Sequence, residues 1–350
     1  MNHYCTYFDR GYLAPGVALW ESLARHDPAA ILIVLALDGE TSRVLRRIGG
    51  DRVYVVDLAE LLASDPELAA LQEKRSRPEF IFSLTPCLIR FLLHTRTDLE
   101  SMIYLDADLF FFAGPHAIWE ELARGSVLVV PHRYPSWHDD SVRYGRFNVG
   151  VVGFRRDATG RACADWWRDQ CLASTALTGD GVHYGDQKYL DEWPRRFAGV
   201  IESTHPGVNV APWNWARHRF VVEPHAVRVD GKPLIVFHFA QFRRVSGGWF
   251  DSGQLEYGIM PYRLRSRLYE EYWTALLSAE RSIRRAMPEF SISRRGWSAS
   301  LGAWHLTLLR AFWGVLWLRV GPHWFAGRLG LGQFSGRVIS VYRRWRRRAS

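Results

Sequence analysis

Between residues 31 and 239 the chain repeats one pattern: a short apolar, β-branched run, in several cases a polar residue at its end, and between some of the runs a helical stretch. The runs cover 31–37, 53–56, 103–105, 127–130, 149–154 and 234–239, and Asp38, Asp57, Asp106 and His238 stand at or near the ends of four of them. Strands buried on both faces lose the in/out alternation and read as continuous apolar runs. Residues 14–25 instead carry Val17, Trp20, Leu23 and Ala24 on one helical face, and 84–94 read the same way. Strand and helix in alternation predict an α/β fold, a mostly parallel, doubly wound sheet flanked by helices, with ligands at the carboxyl ends of its strands. With 350 residues the chain can bury a large core.

The alternation stops after His238, and residues 262–285 predict a charged-faced helix closed by Pro288. The boundaries that follow are a body of 1–250, a helical extension of 251–290 and a basic, aromatic tail of 291–350. Residues 294–350 hold eleven arginines and no acidic residue, so removing them takes the formal charge from +9 to −2. The basicity belongs to the tail alone. Its apolar stretch 303–320 is interrupted by His305, Arg310 and Arg319, and an arginine at mid-span costs about 2.5 to 3.5 kcal/mol on insertion scales. Trp304, Phe312, Trp313 and Trp317, with the arginines of 342–348, fit a segment lying in an anionic membrane interface rather than crossing it. A helix packed on the body with a solvated basic end is the plainer alternative. No nucleic-acid partner is expected.

Cys5, Cys87, Cys163 and Cys171 form no Cys-x-x-Cys pair, disulfide framework or zinc set, and the first residues lack the basic then apolar run of a signal peptide. A reducing cytoplasm is the expected setting, peripheral to the inner face of the cell membrane if the tail binds lipid.

The chemistry concentrates at Asp106-Ala107-Asp108, two carboxylates one residue apart after an apolar strand. Such a pair can face a divalent cation, and hard oxygen ligands suit Mg2+ or Mn2+ bound to substrate phosphates. It can equally cap a turn. Asn148, in Phe147-Asn148-Val149-Gly150, can bond a sugar hydroxyl or serve a turn. Asp186, in Gly185-Asp186-Gln187-Lys188, would be an ordinary helix N-cap. His238, within Val236-Phe237-His238-Phe239, reads as a hydrogen-bonded core histidine unless a metal is near. Aromatics at His132-Arg133-Tyr134, Trp137-His138-Asp139-Asp140 and Trp213-Asn214-Trp215 suit either a sugar site or a core.

In order, Tyr4-Cys5-Thr6-Tyr7, Tyr12-Leu13, Ser22-Leu23, Arg90, Asp106-Ala107-Asp108, Phe147-Asn148-Val149-Gly150, Asp186-Gln187 and His238 resemble the retaining nucleotide-sugar glycosyltransferases of the GT-A fold, close to glycosyltransferase family eight. Residues 185–191 and Ala211-Pro212-Trp213-Asn214 are similar to transferases of bacterial surface-polysaccharide gene clusters. The resemblance covers about residues 2–245 and leaves out the tail. It implies that Asp106, Asp108 and His238 bind Mn2+ or Mg2+ bridging the diphosphate of a nucleoside-diphosphate sugar. It sets Cys5, Thr6, Tyr7, Asp106 and Ala107 along the nucleotide, Arg90 against the Asp106/Asp108 pair or the donor, and Asn148, Asp186 and Gln187 around the sugar. The family's acidic or asparagine residues beside the first strand have no match here, and its Lys-Pro-Trp after the final histidine is replaced by Gln241-Phe242-Arg243-Arg244, which passes the phosphate contact to Arg243 or Arg244. The implied reaction is glycosyl transfer to a hydroxyl of a glycan or lipid-linked oligosaccharide in polysaccharide or lipopolysaccharide synthesis. Two other functions share some of these features. A sugar-nucleotide nucleotidyltransferase would need a glycine-rich phosphate loop where Tyr7-Phe8-Asp9-Arg10-Gly11 stands. A non-catalytic adaptor would use only the basic tail.

Overall fold

The computed structural model describes residues 1–178, 181–244, 249–254, 257–258, 260–290, 316–320 and 323–325. The expected alternation is present. β1 (Asn2–Phe8) passes through a turn at Arg10–Tyr12 into α1 (Leu13–His26), followed by β2 (Ala30–Ala36), α2 (Gly39–Ile48), β3 (Val53–Asp57), α3 (Leu58–Ser64), α4 (Pro66–Ala69) and α5 (Arg77–Thr95). β4 (Ser101–Leu105), β5 (Leu109–Phe111), α6 (His116–Leu122), β6 (Val127–Pro131), β7 (Phe147–Arg155), α7 (Ala158–Ala173), α8 (Trp193–Arg196) and β8 (Val200–Glu202) complete the first part. Side chains that ended strands in the sequence start helices here. Asp38 accepts from the Thr41 amide at 2.8 Å to cap α2, and Ser76 with Glu79 forms a capping box on α5.

Seven strands form one sheet in the order β3-β2-β1-β4-β7-β6-β8. All pairings are parallel except those of β7, which runs against both β4 and β6, so the sheet is mixed. From β1 the chain builds outward to β2 and β3, then returns to place β4 on the other side of β1. That reversal makes the carboxyl ends of β1 and β4 the ligand crevice of such a sheet. Both faces are buried. Tyr4, Phe8, Leu32, Val34, Ile103 and Leu105 pack on one side with α1 and residues of the long C-terminal helix, while Cys5, Ile33, Leu35, Met102 and Tyr104 pack on the other with α5 and α7.

A small antiparallel sheet of β9 (Phe220–Val222), β10 (Val227–Val229) and β11 (Lys232–Pro233) precedes β12 (Val236–His238). β12 pairs with β5. Then come β13 (Arg243–Arg244), β14 (Trp249–Asp251) and α9 (Tyr262–Ala286). Tyr272 of α9 stacks on Phe239 with ring centroids 3.8 Å apart, fastening the helix behind β12. The tail beyond residue 290 lies outside the described residues except for β15 (Leu316–Val320) and β16 (His323–Phe325). β15 pairs with β14, placing Trp317 opposite Phe250. The end of the apolar stretch is therefore strand rather than helix. Among the described residues no helix is long and apolar enough to cross a membrane.

Candidate active site

β4 delivers the chain to the crevice and stops where the Asp106 amide donates to the Gly150 carbonyl of β7 at 3.0 Å. A turn closed by the Leu109 amide on the Asp106 carbonyl, at 3.2 Å, carries Ala107 and Asp108. The chain then enters β5, whose Leu109 faces His238 in the antiparallel ladder with β12. The Phe239 amide donates to the Asp108 carbonyl at 2.9 Å and locks that register. Three residues of pairing thus bring the imidazole across some 130 residues of sequence. His238 Nε2 lies 3.0 Å from Asp108 Oδ1 and 3.6 Å from Asp106 Oδ2. One ligand atom from each residue falls within 4.8 Å of the others, which fits a divalent cation.

The electrostatics suit a cation. Desolvation raises the Asp106 pKa, and the Asp108 charge raises it further, against the opposing pull of His238 and of the Tyr104 hydroxyl, which donates to Asp106 Oδ1 at 2.8 Å. Burial alone would lower the His238 pKa, but the two carboxylates override it and the pKa is raised. A cation bound here would compete with the proton that His238 holds more tightly.

Behind His238 runs a chain of amides. Its Nδ1 lies 3.2 Å from Asn209 Oδ1; Asn209 Nδ2 donates to Asn148 Oδ1 at 2.7 Å, and Asn148 Nδ2 donates to Gln187 Oε1 at 2.9 Å. Asn148 Oδ1 also accepts from the Gly150 amide at 2.9 Å, and Gln187 Nε2 donates to the Tyr144 carbonyl at 2.9 Å. Asn148 and Gln187 are thereby gathered with Asp106, Asp108 and His238. Asn209, fully buried and at φ +58°, was not foreseen. An amide inside Val208-Asn209-Val210, two residues before the singled-out Ala211-Pro212-Trp213-Asn214, was the available signal.

Asp186 does not cap a helix. The short helix at Lys188–Glu192 starts after Gln187 without a side-chain cap, and Asp186 is buried instead. Burial pushes its pKa up to about 7, helped by the Asp106 charge and opposed by a hydrogen bond with Thr85. Thr85 also meets the Tyr7 hydroxyl at 3.2 Å. Burial, Asp186 and Asp106 together raise the Tyr7 pKa, so Tyr7, Asp186 and Asp106 share one cleft. Thr85 and Tyr104 were likewise not singled out from sequence.

Other expected residues lie elsewhere. Cys5 and Thr6 are fully buried inside the sheet, and β1 reaches the cleft only with Tyr7. Arg90 Nε donates to Asp165 of α7 at 2.8 Å, so its guanidinium is committed there rather than to Asp106 or Asp108. Arg243 pairs with Asp251 at 3.1 Å. The side chain of Arg244 lies outside the described residues, as do those of Trp137, Asp139 and Asp140. After β1 the Gly11 amide donates to Asp9 Oδ1 at 2.8 Å in an exposed turn. Of the aromatic groups, His132, His138 and Trp213 are buried. His132 stacks on Tyr134 with centroids 4.6 Å apart, and Trp213 meets the His238 ring edge-on at 5.0 Å. Trp213 thus walls the imidazole. Arg133 donates to the carbonyls of Val208 and Ser203, a structural role.

The protein YfnF of Bacillus subtilis (strain 168) is 33% identical to this chain over 256 residues, covering 69% of the chain and 82% of YfnF. YfnD of the same organism is 30% identical over 250 residues, covering 70% and 79%. The chain belongs to the YfnF and YfnD family. No protein-family model matches it. The crystal structure of the galactosyltransferase LgtC, in complex with donor and acceptor sugar analogs, superimposes on this YfnF/YfnD family member with a TM-score of 0.50 at 17% identity, covering 79% of the chain and 95% of LgtC. The fold is the GT-A glycosyltransferase fold, as the sequence resemblance implied.

Proposed function

We propose that the protein is a glycosyltransferase moving a sugar from a nucleoside-diphosphate donor to a hydroxyl of a glycan or lipid-linked oligosaccharide, with retention, in surface polysaccharide or lipopolysaccharide synthesis. The observation that carries this is the meeting of Asp106, Asp108 and His238 at the carboxyl edge of a GT-A sheet. Those three residues hold Mn2+ or Mg2+, and the imidazole in the set favours Mn2+, since Mg2+ prefers oxygen ligands. Bound there, the ion supplies neutralisation of the charge that builds on a departing diphosphate. Tyr7 lies along the nucleotide. Asn148 and Gln187 present amides to the donor sugar. Because Gln187 is held by hydrogen bonds at both ends of its amide, it orients rather than attacks, which supports same-face transfer with the Asp186 carboxyl as the nearby charge stabiliser. The test is to screen nucleotide sugars for Mn2+-dependent hydrolysis beside an Asp108→Ala control. No turnover, together with no donor binding in Mn2+, refutes the assignment.

The eleven arginines of residues 294–350 support a peripheral site on the inner face of the cell membrane, near a lipid-linked acceptor. Because β15 pairs with β14, deleting the tail would also strip a strand, so replacing Arg343, Arg344, Arg346, Arg347 and Arg348 with glutamine is the cleaner test. At about 1 kcal/mol per arginine the variant loses binding to anionic vesicles by roughly four-thousandfold. Unchanged co-sedimentation would sink the membrane assignment.

A further inference from the structure

The amide chain behind His238 has a direction, and the direction is set by backbone groups whose roles are not interchangeable. The Gly150 amide can only donate, so the Asn148 atom 2.9 Å from it is the oxygen. The Tyr144 carbonyl can only accept, so the Gln187 atom 2.9 Å from it is the nitrogen. Between these anchors Asn148 Nδ2 must donate to Gln187 Oε1, and Asn148 Oδ1 must take its second proton from Asn209 Nδ2 at 2.7 Å. A flip of either asparagine would set two donors or two acceptors against each other. Asn209 therefore presents its oxygen to His238 Nδ1 at 3.2 Å. The Asn209 amide has no freedom to turn, since it is fully buried, and the next residue carries β12 by the bond from the His238 amide to the Val210 carbonyl, 2.7 Å.

We propose that Asn209 is the positioning residue that orients the His238 ring for metal: its oxygen takes the Nδ1 proton, which leaves Nε2 as the atom that would bind a cation alongside Asp106 and Asp108. The inference rests on the metal role proposed for those residues. It adds that metal binding and the donor-sugar amides share one hydrogen-bonded unit, because Gln187 and Asn148 set the orientation that Asn209 passes on. A metal-ligating imidazole commonly gains its orientation and basicity from an acceptor on its other nitrogen. Here that acceptor is a neutral amide rather than a carboxylate.

With Cd2+ bound in place of Mn2+ as a diamagnetic probe, imidazole 15N and 1H spectra of the full-length protein show the His238 proton on Nδ1, hydrogen-bonded and slow to exchange with solvent. A freely exchanging Nδ1 proton, or Nδ1 on the metal, overturns the proposal. Asn209→Gly keeps the positive φ without strain and removes the acceptor. The glycine variant loses the protection of the Nδ1 proton and binds Mn2+ about ten- to hundredfold more weakly, and the exchange of that proton is a signature a merely structural role would not move. An unchanged Nδ1 proton or wild-type Mn2+ affinity in the glycine variant also overturns it. Should wild type bind neither Mn2+ nor Cd2+, the metal role fails and the inference with it, whereas Cd2+ bound with a freely exchanging Nδ1 proton refutes the inference alone. The wild-type spectra need no variant to fold.

Discussion

Gly150 lies on β7 directly beneath the His238 imidazole, and it tests how tightly Asp106, Asp108 and His238 are held. A Cβ built there would stand 2.8 Å from both Cε1 and Nδ1 of His238 and 2.7 Å from Asn148 Oδ1, where ordinary contact begins at 3.4 Å. In Gly150→Ala the ring must retreat by about 0.6 Å, the difference between those distances, which exceeds the tolerance of about 0.5 Å within which a functional constellation works. The same methyl pushes Asn148, so the ring and the amide chain that steadies it move together. Mn2+ affinity falls about ten- to hundredfold, or roughly 1.4 to 2.7 kcal/mol. Overpacking costs a further 1 to 3 kcal/mol or so of folding stability. Gly153→Ala, on the same strand, separates the two effects. Its Cβ would meet Leu122 Cδ2 and Leu128 Cβ at 3.1 Å, so it strains the core without touching the site. Calorimetric Mn2+ titration with parallel denaturation curves reads both quantities. The reasoning is refuted if folded Gly150→Ala binds Mn2+ like wild type, or if Gly153→Ala loses as much affinity.

Asp186 has its pKa raised from 3.8 to about 7 in the fold, so the stability tied to its protonated form is complete below about pH 4 and is lost as pH climbs through 7. A shift of that size corresponds to at most about 4 kcal/mol. Asp186→Asn removes this loss, and urea denaturation of the metal-free proteins at acidic and mildly alkaline pH checks it; parallel pH dependences would show that the carboxyl is not titrating as described. Arg90→Ala leaves Mn2+ and donor affinity unchanged, because its partner is Asp165, and costs under about 1 kcal/mol for a half-exposed pair. A tenfold loss of donor binding would return Arg90 to the site.

The sheet was legible because its strands are buried on both faces: runs such as 31–37 and 127–130 admit few readings other than interior strands. Strand direction was less so, since nothing in residues 149–154 tells that β7 runs against its neighbours. Asp106, Asp108 and His238 were found as a set only through the order of motifs, because spacing alone left His238 a core histidine. Cys5, Thr6 and Arg90 were assigned by position along β1 and α5, and side-chain direction decided otherwise: the first two point into the packed layers and the third toward α7. Asn209, Thr85 and Tyr104 escaped notice because each acts through its hydrogen-bond partners rather than through a motif. Such partners are set by tertiary geometry, and neither periodicity nor composition encodes them.

The ladder between β5 and β12 also sets when, along the chain, the site can be completed. All seven strands of the main sheet lie within the first 202 residues, whereas the site is finished by Asn209 and His238. During synthesis the Asp106/Asp108 turn is made long before His238, and it meets that imidazole only when residues 236–238 pair with Leu109–Phe111. A truncation between residues 202 and 236 would spare the sheet's strands but strip β12 and α9 from one of its faces, leaving the turn without its histidine and that core layer uncovered. Completion of the core and completion of the site are therefore one event, and the link between them is a three-residue strand.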